Sequence, residues 1–144
     1  MRVWFIPIEE LSDMHVLGQH RELHMLESML VNPSFQGQPL VQLFSDKINY
    51  IRDYHDRLVV EIYHRFKRTS PENHGTPSRI IGSLPEELWE PPLEWVLYDY
   101  YALKLRYDEA PEGKYVWTNR EVPKWVTDNT VSFTLPGITP SYRK

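Results

Sequence analysis

The stretch HVLGQHRELHML, from His15 to Leu26, holds the residues whose types and spacing could do chemistry. Arg21 and Glu22 stand side by side within an apolar helical pattern. Neighbours on a helix point about 100° apart, so they do not simply bridge each other and each looks elsewhere for a partner. Such a pair either ties helices together or builds a site. His20 and His24, at i and i+4, could hold a metal with Glu27 nearby. The HExxH pattern is absent and no third histidine stands at a useful spacing, so the expectation is surface histidines and no metal. The glycines are scattered rather than grouped in a phosphate loop, and no GxSxG elbow occurs, which leaves nucleotide-loop binding and serine hydrolysis without support.

The elements that must position these residues read as helical. Glu9 to Val31 carries Leu11, Met14, Gly18, Met25 and Met29 near one face, with Leu17, Leu26 and Leu30 beside them, close to the 3.6-residue period. Arg21 falls on that apolar face and Glu22 at its margin. Pro7 and the acidic Glu9, Glu10 and Asp13 suit a helix start, and VNPSFQGQP ends the segment. A second helix is predicted over 44–68, where Phe44, Ile48, Ile51, His55, Leu58, Ile62 and Phe66 alternate at spacings of four and three. Its basic end, HRFKR, fits either the helix dipole or contact with phosphates. A third helix, about 93–107, is apolar nearly all round and is expected at the centre of a bundle. The tail from 113 to 144 is aromatic-rich and irregular, as a short strand or a covering segment. The expected fold is all-α: a single compact domain, residues 1–144, of three main helices.

A chain of 144 residues, 41% hydrophobic and 13% aromatic, can build one core. With no cysteine there is neither a disulfide framework nor a thiolate metal site, and the expected compartment is the cytoplasm. The apolar start from Val3 to Ile8 is too short for a signal peptide or a membrane span. The net charge of −4 argues mildly against nucleic acid. Its distribution qualifies this, because Ser45–Arg68 and Gly113–Lys144 are basic while the acidic excess sits between Glu72 and Glu112.

Beyond these patterns, EELSDMHVLGQHREL, Glu9 to Leu23, resembles the first helix of the phage-type pyrimidine-dimer DNA glycosylase/AP lyases, the endonuclease V type of phage. That helix carries an acidic residue, Leu, a small residue, Asp, then His and Arg-Glu-Leu. FSDKINYIRDYHDRLVVEIYHRFKR, Phe44 to Arg68, is similar to the family's second helix, and SLPEELWEPP and GKYVWTN match later segments more weakly.

The resemblance implies an all-α domain whose first residues thread between helices and deliver the chain's α-amino group to the active site. The amine attacks the sugar C1′ of a damaged nucleotide, the base leaves, an imine forms, and β-elimination nicks the strand. The family's essential glutamate corresponds to Glu22 and its neighbouring arginine to Arg21. The register puts Met1 where the family's terminal threonine stands and Arg2 on the arginine after it. Arg2 is large enough to leave Met1 in place after synthesis. An α-amino group, with an ordinary pKa near about 8, is a better nucleophile at cellular pH than lysine. Arg2 and Arg21 would lower it further.

The catalytic residues expected on this basis are Met1 and Glu22. Arg2, His15, Arg21 and Lys104 are the expected DNA contacts. His15 has two alternatives, orienting Glu22 or packing inside its helix, and the alternative for Lys104 is a snorkelling surface lysine. No cofactor is expected. The expected partner is double-stranded DNA with damaged or abasic sites, bound by a monomer without a membrane. Met25 replaces a second arginine of the family, His20 replaces a tyrosine, and the chain beyond Asn119 has no counterpart. These departures leave the substrate base open. Two other readings stand beside the first: an enzyme of the same fold acting on another modified base or aldehyde, and a non-catalytic helical DNA-binding or interaction protein.

Overall fold

The computed structural model describes residues 2–75, 89–128 and 130–133, which are helical and contain no strand. Among the described residues, six α-helices follow a 3-10 turn at Ile8–Glu10: α1, Asp13–Leu30; α2, Pro39–Phe44; α3, Ile48–Phe66; α4, Pro71–His74; α5, Leu93–Glu109; and α6, Lys124–Thr127. None of the described helices is long and apolar enough to cross a membrane.

The centre of the fold is the extended N-terminal segment, not the third long helix. Val3, Trp4, Phe5 and Ile6 are all buried without belonging to any helix. Backbone placed so deeply must have its polar groups paired. Side chains from three helices supply the partners. Gln19 of α1 accepts from the Trp4 N–H and donates to the Arg2 carbonyl, Tyr54 of α3 donates to the Trp4 carbonyl, and Asp99 of α5 accepts from the Phe5 N–H. α5 wraps this segment from outside. Only Asp99, Leu103, Lys104 and Tyr107 of that helix are buried, while Leu93 is 68% exposed. Its expected central position is therefore corrected: an apolar sequence all round does not fix depth when a short strand-like segment already fills the middle.

α1 packs chiefly against α3. Ser12 caps α1 by accepting from the His15 N–H. The buried residues of α1 are Asp13, Val16, Gln19, Leu23 and Leu26, whereas Met14 and Met25 are each about half exposed. Of the apolar stripe read from the sequence, Leu11 and Leu26 are buried and Met29 and Leu30 pack against the core, while Met14 and Met25 turn toward solvent. Gln19, a polar residue buried for its hydrogen bonds, breaks the apolar periodicity and shifts the true face. The helix read over 44–68 is α3, which starts four residues later, at Ile48; Phe44 is the last residue of α2, and a break separates the two.

Arg65 locks the far end. Its guanidinium, fully buried, donates to Glu61, to Asp13 and to the carbonyls of Ile8 and Glu9. Asp13 also takes the backbone N–H and the hydroxyl of Thr118, Asn119 donates to the Arg65 carbonyl, and Arg120 pairs with Glu61. Within HRFKR, Arg65 is therefore neither a dipole-facing surface charge nor a phosphate contact. Burial pushes the Glu61 carboxyl up, but hydrogen bonds from Arg120 and Arg65 outweigh it and hold the group below its ordinary range.

Candidate active site

Glu22 lies on α1 one turn beyond Gln19, half-buried, where the N-terminal segment enters the fold. Its Oε2 accepts the backbone N–H of Arg2 at 2.7 Å and lies 3.4 Å from Gln19 Nε2. Gln19 is fixed in turn by Arg2 O at 2.6 Å, Trp4 N at 2.5 Å and the Tyr54 hydroxyl at 3.2 Å. One carboxylate, one carboxamide and one phenol therefore set the height of the segment along α1. The residue attached to this hydrogen-bonded nitrogen, Met1, lies outside the described residues.

Cations and aromatic rings surround the same entry point. The guanidinium of Arg2 sits over the Trp4 ring at 4.7 Å and that of Arg106, from α5, over the same ring at 5.3 Å. Lys114 lies over Tyr115 at 5.3 Å. His15 meets Trp4 edge to face at 5.8 Å and stacks on Tyr115 at 5.2 Å. Its Nδ1 shares hydrogen bonds with the Ser12 and Tyr107 hydroxyls at 2.8 and 3.0 Å. Burial first, then the charges of Arg106, Lys114 and Arg2, lower its pKa from 6.5 to about 4. His15 is thus a neutral ring holding the start of α1 to α5 and to the 113–115 turn, and its hydrogen bonds go to Ser12 and Tyr107 rather than to Glu22.

The expected site residues separate into those at Glu22 and those elsewhere. Arg2 and Glu22 are in direct contact. Arg21 is exposed on α1 and has no hydrogen bond or ion pair among the described residues, so the partner expected for it does not exist there. It stands on the solvent side, with Met14 and Met25, because the buried face runs through Gln19 and Leu23. Lys104 is buried against α6, paired with Asp108 at 3.1 Å and donating to the Val126 carbonyl at 3.4 Å, so it is not a snorkelling surface lysine. The cation that α5 does bring to this place is Arg106, two residues and about 200° further round the helix. Gln19, Trp4, Arg106 and Lys114 were not singled out from the sequence. Only Lys114 had a signal, in the basic, aromatic run GKYVWTN.

The arrangement offers a carboxylate at the mouth of a buried segment and, along the neighbouring start of α1, a rim of cations on aromatic rings: Arg2 and Arg106 on Trp4, and Lys114 on Tyr115. Such a rim suits a polyanion with planar groups, and the carboxylate suits a positive charge or a proton in transit. Comparison with protein families gives a match over residues 1–73 to the model described as pyrimidine dimer DNA glycosylase. No curated protein matches the chain, and no solved structure does.

Proposed function

The chain belongs to the pyrimidine dimer DNA glycosylase family, and from that premise we propose that it excises a damaged base with the α-amino group of Met1 and then nicks the strand as an AP lyase. The observation that carries this reading is the 2.7 Å hydrogen bond between the Arg2 backbone N–H and Glu22 Oε2. A nucleophile one residue upstream of that nitrogen is tethered within reach of the carboxylate by covalent geometry alone.

In the proposed sequence the neutral amine forms a bond to the sugar C1′ as the C1′–N glycosidic bond breaks, and the base leaves with the bonding pair and takes up a proton. Glu22 stabilises the positive charge that develops on the sugar and moves protons as the ring opens to the imine. Loss of a proton from C2′ expels the 3′ phosphate by cleavage of the C3′–O bond. Water then hydrolyses the imine and returns the amine. Arg2, Arg106 and Lys114 bind phosphates flanking the lesion, and exposed Arg21 reaches a further phosphate. His15 holds the aromatic wall in place. Extrusion of a nucleotide is cheapest where the duplex is already distorted, which favours a dimer, another damaged base or an abasic site.

The test is borohydride trapping on a duplex with one abasic site. Wild-type protein gives a covalent protein–DNA band, an N-terminally extended chain gives none, and Glu22→Gln gives a weak one. A band that survives the extension refutes the amine as nucleophile. Absence of any band together with absence of duplex binding at low salt refutes the reading as a whole.

A further inference from the structure

Four of the six histidines converge on one point away from Glu22. His20 and His24, one turn apart on α1, meet His55 from α3 and His74 from the last turn of α4, and one ring nitrogen of each lies within 4.8 Å of the others. Nε2 of His24 is 2.9 Å from Nε2 of His55 and 3.2 Å from Nε2 of His20. Ring centroids across the group are 4.4 to 5.7 Å apart. We propose that His20, His24, His55 and His74 bind one divalent transition ion of the zinc class, with Asp56 orienting His55 from behind.

Hydrogen bonds among the imidazoles do not account for this geometry. Nδ1 of His55 faces the Asp56 carboxylate at 3.0 Å and therefore carries the proton, which leaves Nε2 as a lone pair aimed into the cluster. His24 has a single Nε2 proton to offer, and both His55 and His20 contact that nitrogen. That proton can serve only one of the two contacts fully, so neutral rings packed this way leave one close nitrogen pair without a hydrogen bond of its own. A cation at the centre satisfies all four. Tetrahedral coordination with metal–nitrogen bonds of about 2.0–2.1 Å puts ligand nitrogens about 3.3 Å apart, close to the two shortest contacts here.

A second observation points the same way. Asp56 is buried, and its Oδ2 has no hydrogen-bond partner among the described residues. A carboxylate withdrawn from water without a compensating charge is costly. A dication behind His55 supplies that charge, and a carboxylate–histidine–metal relay is the common support of zinc ligands. All-imidazole sets suit zinc, copper and nickel rather than magnesium or calcium, and four protein ligands leave no open position, so the site is structural. It would clip α4 onto the α1–α3 pair, on the opposite side of α1 from Gln19 and Glu22. The ion has an approach from solvent, since His24 is exposed and His20 and His74 border a shallow opening with Leu17 and Arg68.

The experiment uses the full chain without a histidine tag, stripped with chelator and titrated with zinc, with cobalt(II) as an optical probe. Expected are one ion per chain bound more tightly than about 10 μM, the intense visible bands of tetrahedral cobalt, and a melting temperature raised by about 5 °C or more. His24→Ala and His74→Ala, both near the surface, weaken binding at least about 100-fold while the stripped proteins melt like stripped wild type. Asp56→Asn weakens it by about 10–100-fold. Binding weaker than about 10 μM in wild type, or undiminished binding in both alanine variants, overturns the proposal. None of these readouts involves DNA, so the outcome is independent of the glycosylase reading.

Discussion

The backbone N–H of Arg2 donates to Oε2 of Glu22 across 2.7 Å, joining the start of the chain to the middle of α1, twenty positions away. Everything proposed about the site depends on what that carboxylate does besides holding the backbone. Glu22→Gln keeps a hydrogen-bond acceptor there and removes the charge. Single-turnover nicking of an abasic duplex should fall by about 100-fold or more. Affinity for the uncut duplex should change by less than about threefold, and equal losses in both would reduce Glu22 to a binding residue.

Gln19 serves three backbone or hydroxyl partners at once. Gln19→Leu preserves volume but leaves the buried Trp4 N–H and the Arg2 carbonyl without it. Urea unfolding should show a loss of about 1–3 kcal/mol, and nicking should slow more than stability alone explains, because the segment bearing the nucleophile is no longer held at one height.

The rim cations act through charge. Arg106→Ala and Lys114→Ala should each weaken duplex binding and reduce the slope of log affinity against log salt by about 1, with little preference for sequence. Lys104→Met serves as the contrast: its partners are Asp108 and the Val126 carbonyl, so the salt slope should stay unchanged. A slope that moves with Lys104 and not with Arg106 would invert the assignment.

Arg65 is a stability residue. Arg65→Met strands Glu61 and Asp13 in a buried setting and should cost about 3–5 kcal/mol by denaturant titration. The outcome to watch is a wild-type-like midpoint, which would mean that Arg120 and Thr118 suffice for those carboxylates.

Acid should loosen the fold through His15. Its folded pKa is about 4 against an ordinary 6.5, so between those values the unfolded chain binds the extra proton. The stability contributed by the neutral ring is complete above pH 6.5 and is lost progressively as pH falls to about 4. Melting temperature followed over that range should drop more steeply for wild type than for His15→Gln, and parallel curves would reject His15 as a source.

The sequence by itself determined the helical class and the three long helices, because periodicity is local in the chain, whereas the pairing of Glu22 with the chain start was implied only by the family resemblance of the Glu9–Leu23 block. It did not determine which face of α1 is buried. Met14 and Met25 look like core residues, and Gln19 looks like surface, until Trp4, Arg2 and Tyr54 are seen to need that carboxamide. The same limit applies to Arg106 in place of Lys104, since helical spacing fixes angles between residues but not which neighbour each angle meets. Arg65 read as one more charge at a helix end until Asp13, 52 positions earlier, was placed beside it. The histidine cluster is the plainest case. His20 and His24 were visible as a pair, but His55 and His74 join them only through the packing of α3 and α4 on α1, and contacts between distant segments leave no spacing in the sequence to read.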